Sequence, residues 1–143
     1  MRNALTLAAA VLAAVLLYCG CASTPKNEQA QLQGNWVGEE IGGEPGPCRM
    51  TLEGDTIKFQ GAQRQDWYVG TLTIDPKAHP NQALLLIADC GVRQYVNKTA
   101  RAIYKLDGKT LTLASHEPGN DSMPTAFGHD AASQTRAFVF TRR

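Results

Sequence analysis

Charge is scarce in this chain and evenly split. Lys and Arg number 14 against 13 Asp and Glu, charged residues make up 19% of 143 positions, and no basic stripe appears. Phosphate binding needs clustered Lys and Arg, so no nucleic-acid partner is expected. A Gly-rich phosphate loop and a dinucleotide fingerprint are both missing, which excludes the common nucleotide folds; no cofactor is expected. No segment combines a 3.6-residue apolar period with caps, which argues against a helical fold. Cysteines at CxxC spacing are lacking, and His79, His116 and His129, even with Asp130, match no metal-ligand pattern. No metal site is expected.

What is present begins at the N-terminus. Arg2 precedes an almost unbroken apolar run, Ala4 to Tyr18, closed by Cys19-Gly20-Cys21. A basic start, a short apolar stretch and a small residue at the boundary describe a secretory signal. The run is shorter than the roughly 20 residues of a spanning helix. Gly20 before Cys21 resembles the lipobox of bacterial lipoproteins, although Tyr18 stands where leucine is usual. The resemblance implies acylation of Cys21 and a membrane partner; Ala22, rather than an aspartate, implies the periplasmic face of the outer membrane. Ordinary cleavage near Ala22-Ser23, releasing a secreted protein, is the alternative. The chain thus divides into residues 1–21 as signal peptide, 22–31 as a polar, flexible tether, and 32–143 as one domain.

That domain reads as strand after strand. Cys48, Met50 and Leu52 alternate with Arg49, Thr51 and Glu53; Ile57 and Phe59 follow the Gly54-Asp55 turn; Tyr68, Leu72 and Ile74 continue the period of two until Asp75-Pro76. Leu84 to Ala88 is a continuous apolar run expected to be buried on both faces. Thr99 to Leu106 and Lys109 to Ala114 flank Asp107-Gly108, a strong hairpin signal for a type I′ turn. Arg136 to Arg142 closes the chain after a Gly-, Pro- and Ser-rich loop from Glu117 to Thr135. With an opening strand near Trp36 to Ile41, about eight strands are expected. Sequential antiparallel strands leave exposed edges unless the sheet closes. The expected fold is therefore all-β, an up-and-down antiparallel barrel. Cys48 and Cys90, an even pair in an exported protein, are expected to form a disulfide of about 4 kcal/mol.

The order of Leu32-Gln33-Gly34-Asn35-Trp36, Leu72-Thr73-Ile74-Asp75-Pro76 and Ala102 to Leu111 resembles an uncharacterised lipocalin-like domain family of planctomycetes and related bacteria. The likeness runs from Leu32 to Arg143 and implies a lipocalin-like barrel, with no activity attached. Gly34-x-Trp36 also resembles the lipocalin opening signature. There the Trp plugs the closed end and a last-strand Arg stacks over it, which implies Arg142, or else Arg136, as the partner of Trp36.

No catalytic set emerges. Ser115-His116-Glu117 lie side by side in an extended segment, where neighbours point to opposite faces, so they cannot form a relay; an enzyme is not expected. The leading reading is an envelope-tethered binding module for a small apolar molecule, with Phe59, Tyr68, Gly70, Leu72 and Tyr104 as candidate cavity residues. The rival is a protein-interaction module, such as an inhibitor of an envelope protease or lysozyme. An eight-stranded barrel can either fill with side chains or hold one small ligand. The interior decides between them.

Overall fold

A computed structural model describes residues 25–143, with side chains from Glu28 onward. The signal peptide, Cys21 and the first residues assigned to the tether lie outside the described residues. One helix, α1 (Pro25–Leu32), precedes eight strands: β1 (Gly34–Ile41), β2 (Pro47–Glu53), β3 (Thr56–Gln60), β4 (Trp67–Asp75), β5 (Asn81–Cys90), β6 (Thr99–Asp107), β7 (Thr110–His116) and β8 (Thr135–Arg142). Each strand pairs antiparallel with the next, and β8 returns to β1 with Trp36 opposite Arg142. The sheet is a closed, lipocalin-like up-and-down barrel, and closure leaves no free edge.

Alternation places Trp36, Met50, Leu52, Ile57, Tyr104, Leu111, Phe138 and Phe140 in one buried cluster. Phe59 packs edge-on to Phe138 at 5.2 Å between ring centres. The β5 run is read differently by the fold. Ala83 and Ile87 are buried, whereas Leu86 is 52% exposed, so the run has one inward and one outward face. A barrel strand has only one core face. An unbroken row of Leu carries no parity, so pairing sets it instead.

Gly70 supplies part of that pairing. The β4–β5 register slips between Val69 and Gly70, and a Cβ on Gly70 would stand 2.1 Å from the Leu86 carbonyl oxygen. Gly70 therefore permits close strand approach at a bulge instead of opening a void.

The Asp107-Gly108 hairpin also differs from its type I′ expectation, and the Gly54-Asp55 turn shares its geometry. Asp107 pairs with Thr110 across Gly108-Lys109, and Glu53 with Thr56 across Gly54-Asp55. Only the first central residue of each has positive φ, at 57° and 61°, the pattern of type II′ turns.

The segment expected to be a flexible tether is, from Pro25 onward, the helix α1 against the closed end. Pro in the first turn and Glu28 near the N-terminus favour helix there. Leu32 is buried, and Glu28 Oε1 accepts hydrogen bonds from Asn81 Nδ2 at 2.8 Å and Tyr104 Oη at 3.0 Å.

Cys48 and Cys90 are both buried, free thiols, so the expected disulfide is absent. The two cysteines stand on β2 and β5, three strand spacings of roughly 4.8 Å apart along the wall. A disulfide needs Cα atoms within about 7 Å. Cys90 Sγ instead donates to the Val92 carbonyl at 2.9 Å.

Candidate functional site

At the closed end, Trp36 is fully buried and its indole Nε1 donates to the Leu32 carbonyl at 2.9 Å. The Arg142 guanidinium lies 4.5 Å from the Trp36 ring centre and donates to the Gln31 and Gln33 carbonyls. Arg136 is at the other end of β8. The closed end is thus sealed by an indole, a guanidinium and α1, with Tyr104 reaching down to Glu28. Burial, followed by that carboxylate, raises the Tyr104 hydroxyl well above the usual tyrosine range.

The interior holds two adjoining chambers. The upper, about 90 Å³, is lined by Phe59, Tyr68, Ile87, Phe138 and Arg136 among others; the lower, about 60 Å³, by Leu72, Ile74, Ala83, Ala102 and Tyr104. Met50, Ile57, Leu85, Ala100, Leu113 and Ser115 border both. The candidate cavity residues therefore divide: Phe59 and Tyr68 above, Leu72 and Tyr104 below, and Gly70 in neither. Ala83, Ala100, Ala102 and Ser115 on β5 to β7 are small, and this is the physical origin of the space. The periodic pattern signals burial at these positions, and the alanines were the readable sign of a gap.

The mouth is a broad cleft of about 730 Å³ whose walls include Glu40, Tyr95, Glu117 and His129. Tyr68, Pro118 and Arg136 line both the cleft and the upper chamber, so they form the neck between them. Arg136 is clamped from two sides. Its Nε and an η-nitrogen donate to Glu40 at 2.8 Å each, and its two η-nitrogens donate to Asp66 at 2.9 and 2.6 Å. The same guanidinium lies 5.1 Å from the Phe138 ring centre. Burial pulls the Arg136 pKa down, but the bonds from Glu40 and Asp66 outweigh it and raise it. Burial also pushes the Tyr68 hydroxyl up to about 12, with the Asp66 charge adding to it. Burial, followed by the Glu40 charge, also raises the thiol of nearby Cys48.

This clamp was not visible in the sequence. Glu40 and Asp66 lie 96 and 70 residues from Arg136, and only the closed topology brings them together.

The three adjacent residues Ser115, His116 and Glu117 face different partners. Ser115 Oγ donates to backbone carbonyls of Arg101 and His116, His116 Nδ1 meets Thr135 Oγ1 at 2.9 Å, and Glu117 accepts from Tyr95 Oη. His79 lies in the β4–β5 connection at the closed end, away from His116 and His129 at the mouth. Among the described residues no group of three or more His, Cys, Asp or Glu is placed to hold a metal.

A closed eight-stranded barrel with a sealed base, a narrow apolar interior and a clamped neck defines the class as a lipocalin-like barrel, a form that fits a binding module. No protein-family model, curated protein or solved structure matches the chain.

Proposed function

We propose that this protein is a non-enzymatic binding module whose interior takes one small apolar group, the size of a benzene ring or a short alkyl tail. The observation that carries this reading is the pair of adjoining chambers walled by Ala83, Ala100, Ala102 and Ser115. Protein interiors otherwise leave few voids larger than a water, and an apolar void stays dry and gains contacts when filled. Together the chambers are of the order of the ~150 Å³ in which an apolar protein cavity takes up benzene. They fall below the roughly 300 Å³ where drug-sized sites begin, so a whole lipid is too large. The group enters at the mouth, past Tyr68 and the Arg136 clamp.

In the same reading the module sits on the periplasmic face of an outer membrane, held through acylated Cys21. The lipobox-like Gly20-Cys21 and the apolar Ala4 to Tyr18 support that placement, and the closed eight-stranded barrel supports the binding role.

The test is a titration of the protein with benzene and with hexanol, read by two-dimensional NMR. Saturable shifts are expected at methyl groups of Ile57, Leu85 and Leu113. Ala100→Leu, which places a larger side chain where both chambers meet, should weaken them at least about tenfold while keeping the dispersed spectrum of a folded barrel. Ser115→Val offers a second filled variant. Absence of saturable shifts in the natural protein, or equal binding by both filled variants, would overturn the reading.

A further inference from the structure

Another cavity lies outside the barrel wall, and the interior reading makes no use of it. This groove of about 430 Å³ sits between the β3–β4 and β5–β6 connections, lined by Arg64, Gln65, Trp67, Asp89, Gly91 and Arg93 over buried Cys90. Its walls are held in place. The Gly91 N–H donates to the Trp67 carbonyl at 3.1 Å, and a Cβ on Gly91 would stand 1.8 Å from the Gln65 carbonyl oxygen. Only glycine allows that approach.

Both ion pairs among the described residues belong to Arg136, which leaves Arg64 and Arg93 without a carboxylate. Residues 1–24 contain no Asp or Glu to supply one. Trp67 is half-buried, and its indole Nε1 stands 3.1 Å from where a Cβ on Gly91 would lie, on the floor of the groove. The Trp36 indole is bonded to Leu32. Asp89 is the one acid in the groove, and its Oδ1 already accepts from the Cys90 N–H at 2.9 Å. Two guanidinium groups and one carboxylate leave a single positive charge and an excess of donors.

We propose that this groove binds an acidic, extended segment of a partner protein, with Arg64 and Arg93 receiving carboxylates and Trp67 supplying a flat contact and an N–H. Arg grips carboxylates through two parallel bonds, and Trp and Arg are the residues that most often dominate binding at protein interfaces. A lone anion would occupy little of the groove. Arg64, Gln65, Asp89, Gly91 and Arg93 are all exposed, so a small molecule there would not reach the 70–90% burial usual for such ligands. A chain laid along the groove meets neither objection.

The two indole N–H signals of a proton–nitrogen correlation spectrum give the test. A short Glu-rich peptide, a matched Gln-rich peptide and sodium phosphate are titrated separately. The Trp67 indole signal should move saturably with the Glu-rich peptide while that of Trp36 stays fixed. The Arg64→Gln/Arg93→Gln variant should bind at least about tenfold more weakly, and added salt should weaken binding through screening. Lys105→Gln, on exposed β6 surface, should bind as the natural protein does. An equal response to the Gln-rich peptide, an equal response to phosphate (an adventitious ion only), or no response overturns the proposal. These readouts are independent of the interior chambers.

Discussion

Tyr68, Tyr95 and Tyr104 each sit where the protein opposes loss of the phenol proton. For Tyr68 and Tyr104 burial is the main cause; for Tyr95 it is the hydrogen bond to Glu117, with burial second. In the unfolded chain all three ionise near pH 10, whereas the folded barrel holds the Tyr68 proton to about 12. A folded-state pKa above the unfolded value means stabilisation that is complete below pH 10 and is lost as pH climbs toward the folded value. Urea midpoints should therefore fall as pH rises from about 10 toward about 12, and Tyr68→Phe and Tyr104→Phe should flatten that fall. A midpoint unchanged across this window would contradict the burial argument. At this scale the sequence is uneven to read. Gly34-x-Trp36 and a last-strand arginine pointed at the sealed base. The burial of Cys48 and Cys90 on separate strands was hidden, because an even cysteine count says nothing of which strands lie adjacent.

Among elements, the strands were legible and their facing was not always. Alternation located β2, β3, β4 and β8, since a period of two marks a half-buried strand. It was silent over Leu84 to Ala88, where every residue is apolar and only the bulge at Gly70 and the β6 register decide that Leu85 faces in. α1 was missed because its polar sequence lacks an apolar stripe. Its attachment comes from Leu32, Glu28 and glutamine bonds to Gly54, contacts made only after the barrel exists. The Arg136 clamp belongs to this scale, since it ties β1 and the β3–β4 connection to β8. Removing one member of a buried ion pair typically costs 3–5 kcal/mol because charges are left unpaired. The Glu40 side chain is 7% exposed but that of Arg136 is 33%, so Arg136→Ala should cost less, about 2–3 kcal/mol. Two facing carboxylates would remain, and acid relieves their repulsion. The deficit measured by urea unfolding should thus shrink as pH falls toward about 4, where carboxylates gain protons. A deficit that is constant with pH would place the cost in lost packing with Phe138 instead.

For the whole molecule, the barrel has two unlike ends, and the N-terminus leaves from the sealed one. Helix α1 is described from Pro25, and in the sequence Ala22, Ser23 and Thr24 stand between that residue and Cys21. The four steps from Cys21 to Pro25 span at most about 14 Å, much less than the ten-residue tether expected from composition. An acylated Cys21 would therefore hold the closed end, with the Gly54 and Gly108 turns, close to the bilayer. The mouth and the Trp67 groove, at the opposite end, would face away toward soluble partners. Stable attachment needs more than one acyl chain; a multiply acylated Cys21 would supply them, so the anchor should depend on that one residue. Cys21→Ser should move the protein from the membrane fraction to the soluble fraction without altering the barrel spectrum. In vesicles containing spin-labelled head groups, signals of Gly54 and Gly108 should broaden while those of Gly91 and Gly128 persist. If Cys21→Ser stays with membranes, the lipid anchor is wrong. If the mouth signals broaden first, the anchor stands but the barrel lies the other way up, and the interior would then open onto lipid rather than solvent.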